Sequence, residues 1–239
     1  MKVDLLAMAA HPDDVELTCG GTLIKMARNG YSVGILDLTE GEMGTRGSKD
    51  IRRREAAAAG RLLGVTHREN LGLPDAQLEL RMDYKLAIAK RIRALRPRSV
   101  ILPYWEGRHP DHYTAARLGY EGCFLAGLKR LDIEGEPFRP FKVLYSTTYD
   151  RTVRPSFVVD ITREFARRNR AIMAYASQFT PAARDRRSKV HIPLDRLVQQ
   201  VHLTARFYGE MVGVEYAEPF LLKEVMQVDD VVELPVRSI

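Results

Sequence analysis

The chain has 239 residues, of which 45% are hydrophobic and 28% are charged, a composition ordinary for a globular protein. No apolar run is long enough to cross a membrane, and two cysteines are too few for a disulfide framework. The net charge is +6, but the basic residues are scattered among acidic ones, which argues against nucleic-acid binding and favours a small anionic substrate. The N-terminus has no signal-peptide pattern, so we expect a cytoplasmic protein.

Strand and helix patterns alternate along the first two-thirds of the chain. Apolar periodicity predicts strands over 3–10, 32–38 and 99–104, and helices over 15–29, 50–63 and 83–95. A further helix is predicted after the strand over 99–104 and ends at about residue 127. In the last third it predicts strands over 142–149 and 156–160, helices over 161–175 and 194–211, and a basic loop over 180–189. This order predicts a single domain over residues 1–239 with an α/β fold. We expect a Rossmann-like, mostly parallel sheet with helices on both faces, plus a C-terminal strand and helix extension.

Two clusters of histidines and carboxylates follow predicted strands, at His11–Asp14 and His109–His112. Ligands bind at the carboxyl ends of neighbouring strands in an open α/β sheet, so the clusters can meet in space. Imidazole and carboxylate are typical zinc ligands, and a catalytic zinc ion takes three of them. The adjacent Asp13 and Asp14 suit a division of roles, in which one binds metal and the other acts as a base.

Other residues carry weaker signals. A single cluster of this kind is more often a helix-capping turn than a metal site, and it is the two together that favour a metal site. The glycines of the loop 41–48 do not match a dinucleotide or P-loop fingerprint. We expect Cys19 and Cys123 to line the core, His67 and His202 to be exposed or half-buried, and His191 to be a minor candidate for substrate contact.

Several motifs together resemble the LmbE-like (PIG-L) zinc-dependent N-deacetylases. They are the two clusters, Gly41–Gly44, Arg52–Glu55, Tyr175–Phe179, Tyr208–Gly209 and Tyr216–Phe220. The resemblance implies one Zn²⁺ per chain, with Fe²⁺ as the alternative, bound by His11, Asp14 and His112. It implies Asp13 as the general base. His109 would stabilise the oxyanion or protonate the leaving amine, with Asp111 orienting it.

Within that family the chain looks most like the N-acetylglucosaminyl-malate deacetylases of bacillithiol biosynthesis. That likeness implies that Arg52 and Arg108 bind the malate carboxylates, and that the chain forms a homo-oligomer such as a hexamer. Residue 176 is Ala where relatives often have Arg. Three alternatives stay open: a deacetylase of a chitooligosaccharide or a glucosaminyl-inositol, a two-metal phosphoester hydrolase, and a non-catalytic nucleotide-binding or interaction module.

Overall fold

The structure is a computed structural model that describes residues 2–150, 152–180 and 194–236. In these residues seven strands form one sheet, in the order β3-β2-β1-β4-β5-β7-β6. The strands are β1 (Leu5–Ala9), β2 (Val33–Thr39), β3 (His67–Leu73), β4 (Ser99–Pro103), β5 (Lys142–Ser146), β6 (Phe157–Asp160) and β7 (Ala217–Leu221). Strands β1 to β5 run parallel, and β7 pairs antiparallel with β5 and β6. The predicted mostly parallel α/β fold is therefore confirmed.

Helices cover both faces of this sheet. They are α1 (Asp14–Thr18), α2 (Gly20–Arg28), α3 (Lys49–Leu63), α4 (Met82–Leu95), α5 (Pro110–Ala126), α6 (Phe165–Met173), α7 (Ala176–Phe179) and α8 (Leu194–Met211). Successive side chains of β1 point to opposite faces, so Leu5 and Ala7 pack with α1–α3 and α6, whereas Leu6 and Met8 pack with α4 and α5. Burial on both faces explains why β1 and β2 are apolar without alternation.

The order of the strands reverses beside β1, the position where open α/β sheets bind ligands. Strand β1 pairs in parallel with β2 on one side and with β4 on the other, with Ala7 opposite both Ile35 and Ile101. The carboxyl ends of β1 and β4 therefore open at the same edge of the sheet. The two histidine clusters follow these two ends.

Two strands are absent from the elements predicted from the sequence. Strand β3 is an edge strand of mainly polar residues, and its Arg68 turns inward to pair with Asp37 and Glu16 at 2.8 and 2.7 Å, so no apolar alternation marks it. Strand β7 contains Pro219, which argues against a strand between two others. The proline is tolerated because β5 pairs only with Phe220 and Leu221, the two residues that follow the proline.

Several element boundaries also differ from the prediction. The helix expected over 15–29 is broken at Cys19, which has φ −145°, into α1 and α2. The helix expected over 161–175 begins only at Phe165, and the strand expected over 142–149 ends at Ser146. Cys19 and Cys123 are buried and His67 and His202 are half-buried, as expected. No described helix is both long and apolar enough to span a membrane. The single domain, the homo-oligomer and the cytoplasmic location stay predictions.

A buried ion pair connects the last third of the chain to the helices after β1. Glu218 of β7 accepts hydrogen bonds from the backbone N–H groups of Gly21 and Thr22, at 2.9 and 2.7 Å. These donors are in the first turn of α2, where helix N–H groups lack partners within the helix. The same carboxylate lies 3.1 Å from Nε of Arg168 on α6, and both side chains are at most 1% exposed. Arg168 in turn donates to the backbone oxygens of Glu16 and Leu17 in α1.

We expect the Glu218→Gln substitution to lower the free energy of unfolding by about 3–5 kcal/mol, because it leaves the buried Arg168 charge uncompensated. Urea denaturation followed by circular dichroism measures this change. The matched control is Glu210→Gln, which removes an exposed ion pair with Arg206 and should change stability by less than about 1 kcal/mol. Equal small losses in both variants would mean that Glu218 does not anchor α2.

Candidate active site

The two clusters meet at the carboxyl ends of β1 and β4. Pro110 is the first residue of α5, and His109 precedes it as the N-cap, where its Nδ1 accepts a hydrogen bond from the Asp111 backbone N–H at 3.3 Å. Pro12 lies two residues before the start of its helix, since α1 begins only at Asp14. Asp13 occupies the N-cap of α1 with φ 109°, a backbone conformation that is unusual for a residue other than glycine.

His11, Asp14 and His112 form a donor set that fits one metal ion. His11 Nδ1 lies 3.3 Å from Asp14 Oδ2, and His112 Nε2 lies 3.2 Å from Asp14 Oδ1. One ligand atom from each of the three side chains lies within 4.8 Å of the others. Ligand atoms about 2.1 Å from a tetrahedral zinc ion are roughly 3.4 Å apart, so the set fits with little movement. A second group, His11, His109 and Asp111, also has ligand atoms within 4.8 Å of one another, but it uses the same His11.

The second ring nitrogen of His11 is held by two carboxylates. His11 Nε2 lies 3.0 Å from Asp75 Oδ1 and 3.3 Å from Asp111 Oδ2. These carboxylates are themselves fixed by backbone N–H groups, since Met43 donates to Asp75 and Ala76 donates to Asp111, both at 2.8 Å. Metal-binding histidines commonly donate their second N–H to such a carboxylate, which fixes the ring orientation. This arrangement supports His11 as a ligand through Nδ1.

The structure places the Asp111 carboxylate against a different histidine from the one that the resemblance implies. The sequence resemblance implies that Asp111 orients His109, but its carboxylate contacts His11 instead. The reason is local, because the N-cap turn of α5 directs His109 Nδ1 back toward the Asp111 backbone N–H. Asp75 was not predicted at all. It lies two residues after the end of β3, so recognising that strand would have indicated a carboxylate at the same edge of the sheet.

Arg52 of α3 holds Asp13 from inside the protein. Its Nη2 lies 3.0 Å from Asp13 Oδ2 and donates to the Pro12 carbonyl at 2.6 Å, while Nη1 donates to the Gly41 carbonyl at 3.0 Å. A Cβ atom on Gly41 would lie 2.0 Å from Arg52 Nη1, so this loop position needs glycine. Arg52 is 6% exposed and both of its Nη groups donate to protein atoms. The expected contact between Arg52 and a malate carboxylate stays a prediction.

The adjacent carboxylates of Asp13 and Asp14 differ in acidity. Burial raises the pKa of Asp13 to about 7, and the positive charge of Arg52 opposes that rise. Burial acts on Asp14 in the same direction, but the charge of His112 and the hydrogen bonds from His11 and His112 outweigh it and hold the Asp14 pKa well below its usual range. Opposite shifts of neighbouring acids indicate different roles, here a permanent anion for a cation and a base close to neutrality.

His109 and Arg108 lie at the open side of the site. His109 is exposed, stacks on His112 with ring centroids 4.5 Å apart, and meets the His11 ring edge-on at 5.0 Å. Burial and the nearby His112 and His11 charges lower the pKa of His109. Arg108 is exposed beside it. Both residues line a cavity of about 680 Å³ together with the metal-binding group, Asp13 and Arg52.

Further residues of the same cavity were not predicted from the sequence. Tyr104 and Tyr149 stand on its walls, with Leu17 and Val201 among the apolar residues. Each contributes from a different element, so no local motif marks them. His191 and the basic loop 180–189, expected near the site, lie outside the described residues except for Thr180, which follows α7.

The chain is similar to a known protein family and to solved structures. The family model described as PIG-L, GlcNAc-PI de-N-acetylase, matches residues 6–123. The crystal structure of a conserved protein from Thermus thermophilus is similar to this chain, with a TM-score of 0.83 and 40% identity over 95% of this chain and 98% of that one.

Two relatives of assigned activity match over most of their length. The diacetylchitobiose deacetylase of Thermococcus kodakarensis is 31% identical over 229 residues, which cover 90% of this chain and 80% of that protein. A probable N-acetyl-alpha-D-glucosaminyl L-malate deacetylase 2 of Bacillus anthracis is 27% identical over 192 residues, 73% of this chain and 81% of that protein. The matches extend far beyond the histidine clusters, and the chain therefore belongs to the PIG-L (LmbE-like) family of deacetylases.

Proposed function

We propose that this protein hydrolyses the acetamide of an N-acetylglucosamine conjugate with the help of one bound metal ion, zinc or ferrous iron. The single observation that carries the proposal is the geometry of three donors beside a raised-pKa carboxylate. His11, Asp14 and His112 present ligand atoms within 4.8 Å of one another, and Asp13 is adjacent to Asp14 in the chain. The relatives named above support an N-acetylated sugar as the substrate.

The chemistry divides among the side chains as follows. His11, Asp14 and His112 would hold the metal ion, which would supply a Lewis acid that polarises the acetamide carbonyl and acidifies water. Asp13 takes the proton of the attacking water, and Arg52 keeps that carboxylate oriented at 3.0 Å. His109 faces the cavity, where its Nε2–H would donate a hydrogen bond to the oxyanion, and the proton that Asp13 takes from water would pass to the leaving amine. Acetate and the free amine are the products.

The alternatives left by the sequence are less well supported. Phosphoester hydrolysis favours two metal ions, whereas both candidate ligand groups among the described residues depend on His11. A module that only binds nucleotides gives no reason for the paired shifts of Asp13 and Asp14. For the sugar conjugate, the malate form remains the finer proposal, with Arg108 as the exposed cation for a carboxylate because Arg52 is engaged with Asp13.

We expect the purified protein to bind one equivalent of Zn²⁺ per chain, and the His112→Ala and Asp14→Asn variants to lose stoichiometric binding, because each removes a ligand. Elemental analysis after dialysis and titration with a zinc-sensitive dye measure both. The control is His67→Ala, a half-buried histidine of β3, which should keep its metal. Two equivalents in the wild type, or full binding by Asp14→Asn, would contradict the site.

The Asp13→Asn variant should keep its metal and lose about 10²–10⁴-fold in the rate of acetate release, because asparagine cannot accept the proton. Asparagine tolerates positive φ better than most residues, so the turn should be preserved. The exposed Asp50→Asn change on α3 is the control and should leave the rate unchanged. A wild-type rate in Asp13→Asn would remove Asp13 from the mechanism.

The malate proposal predicts faster acetate release from N-acetylglucosaminyl-malate than from diacetylchitobiose or N-acetylglucosamine. The Arg108→Ala variant should then raise KM for the malate conjugate by roughly 10–100-fold, the loss of one charged hydrogen bond, and leave diacetylchitobiose hydrolysis unchanged. Arg117→Ala, an exposed change on α5, is the control. Equal rates with both conjugates, insensitive to Arg108, would discard malate and retain the deacetylase.

A further inference from the structure

Tyr149 contacts two of the three side chains proposed to bind the metal. Its ring stacks on the His112 ring, with centroids 5.6 Å apart and planes inclined by 18°. Its hydroxyl donates a hydrogen bond to Asp14 Oδ1 at 3.4 Å. No sequence motif surrounds Tyr149, which lies three residues after the end of β5.

These contacts restrict both ligands. The Oδ1 atom that accepts from Tyr149 also lies 3.2 Å from His112 Nε2, while Oδ2 accepts the His11 backbone N–H at 3.0 Å. Tyr149 therefore completes the contacts that fix the rotation of the Asp14 carboxylate. The His112 ring is aligned with two nearly parallel rings, those of His109 and Tyr149, each inclined to it by 18°. Such offset stacking stabilises the ring plane.

Hydrogen bonds connect the segment before Tyr149 to α1, the helix that carries Asp14. The hydroxyls of Ser146 and Thr148 both donate to the Thr18 carbonyl, at 3.0 and 2.8 Å. Thr18 is the last residue of α1, and its own hydroxyl donates to the Asp14 carbonyl at 2.8 Å. The segment from β5 to Tyr149 and helix α1 are thus tied together, so the distance between the phenol and Asp14 is set by the fold.

We propose that Tyr149 is a positioning residue for the metal centre, which orients Asp14 through its hydroxyl and His112 through its ring. The inference rests on the proposed function, because it takes His11, Asp14 and His112 as the ligands. Partners behind metal ligands raise affinity by holding the ligands in the bound geometry before the ion arrives. The two contacts can be removed in steps, since phenylalanine removes only the hydroxyl contact and leucine removes both.

Zinc affinity, measured by competition with a chromophoric chelator, tests the proposal without any substrate. We expect Tyr149→Phe to weaken Zn²⁺ binding about 10-fold and Tyr149→Leu up to about 100-fold, the range for groups behind metal ligands. The visible absorption bands of the Co²⁺-loaded protein should change most in Tyr149→Leu, because the His112 ring is then free to turn. Tyr104→Phe is the matched control, since Tyr104 lines the same cavity but its hydroxyl donates to Glu106.

The outcomes separate this inference from the proposed function. Wild-type zinc affinity and Co²⁺ spectra in both Tyr149 variants would overturn the positioning role, even if KM rose, since Tyr149 would then contact only substrate. A wild-type protein that binds no metal would overturn the proposed function and this inference together. Thermal melting of the metal-free variants checks folding, and the conservative Tyr149→Phe variant carries the test if Tyr149→Leu does not fold.

Discussion

The structure depends on how α1 is held in place. This helix has only five residues, too few to be stable alone, yet it carries Asp14 at its start. Its Glu16 is completely buried and accepts hydrogen bonds from Arg68 at 2.7 Å and Tyr175 at 3.1 Å. Arg168 donates hydrogen bonds to the backbone carbonyls of Glu16 and Leu17 near the end of this helix. Buried charges are compensated only when all these elements are assembled, so we infer that the ion pairs specify the position of α1 more than they add net stability.

The position of α1 explains how two adjacent carboxylates can serve different purposes. Asp13, which has φ 109°, contacts Arg52, whereas the neighbouring Asp14 contacts the two histidines proposed as ligands. Such backbone strain costs of order 1–3 kcal/mol and persists where surrounding contacts enforce it. Here Arg52 supplies the contacts, because its Nη2 donates hydrogen bonds both to the Asp13 carboxylate and to the Pro12 carbonyl. A glycine is needed at position 41 because the Arg52 guanidinium lies where a Cβ atom at that position would collide with it.

Much of the site could be predicted because each cluster is contiguous and follows a strand with a clear apolar pattern. To place the two clusters side by side, only one rule was then needed, that the carboxyl ends of neighbouring parallel strands lie at the same edge of the sheet. Asp75 and Tyr149 were missed for physical reasons, since one follows a polar edge strand and the other depends on the path of the chain after β5. Arg52 was identified by resemblance, but the direction of a long side chain cannot be read from its position in a helix. In the structure it points inward, to Asp13.

The proposed ligands and the base all precede residue 113, within the segment that the family model matches. Some of the groups that hold them come from the same half of the chain, such as Arg52 and Asp75, and others come from the second half: Tyr149 after β5, Arg168 on α6 and Glu218 on β7. The proposed reactive groups therefore lie in one half of the chain, whereas their support comes from both halves. A fragment that ended at residue 123 would contain every proposed reactive side chain but would lose Tyr149, Arg168 and Glu218, so the position of α1 depends on residues outside the segment that the family model matches.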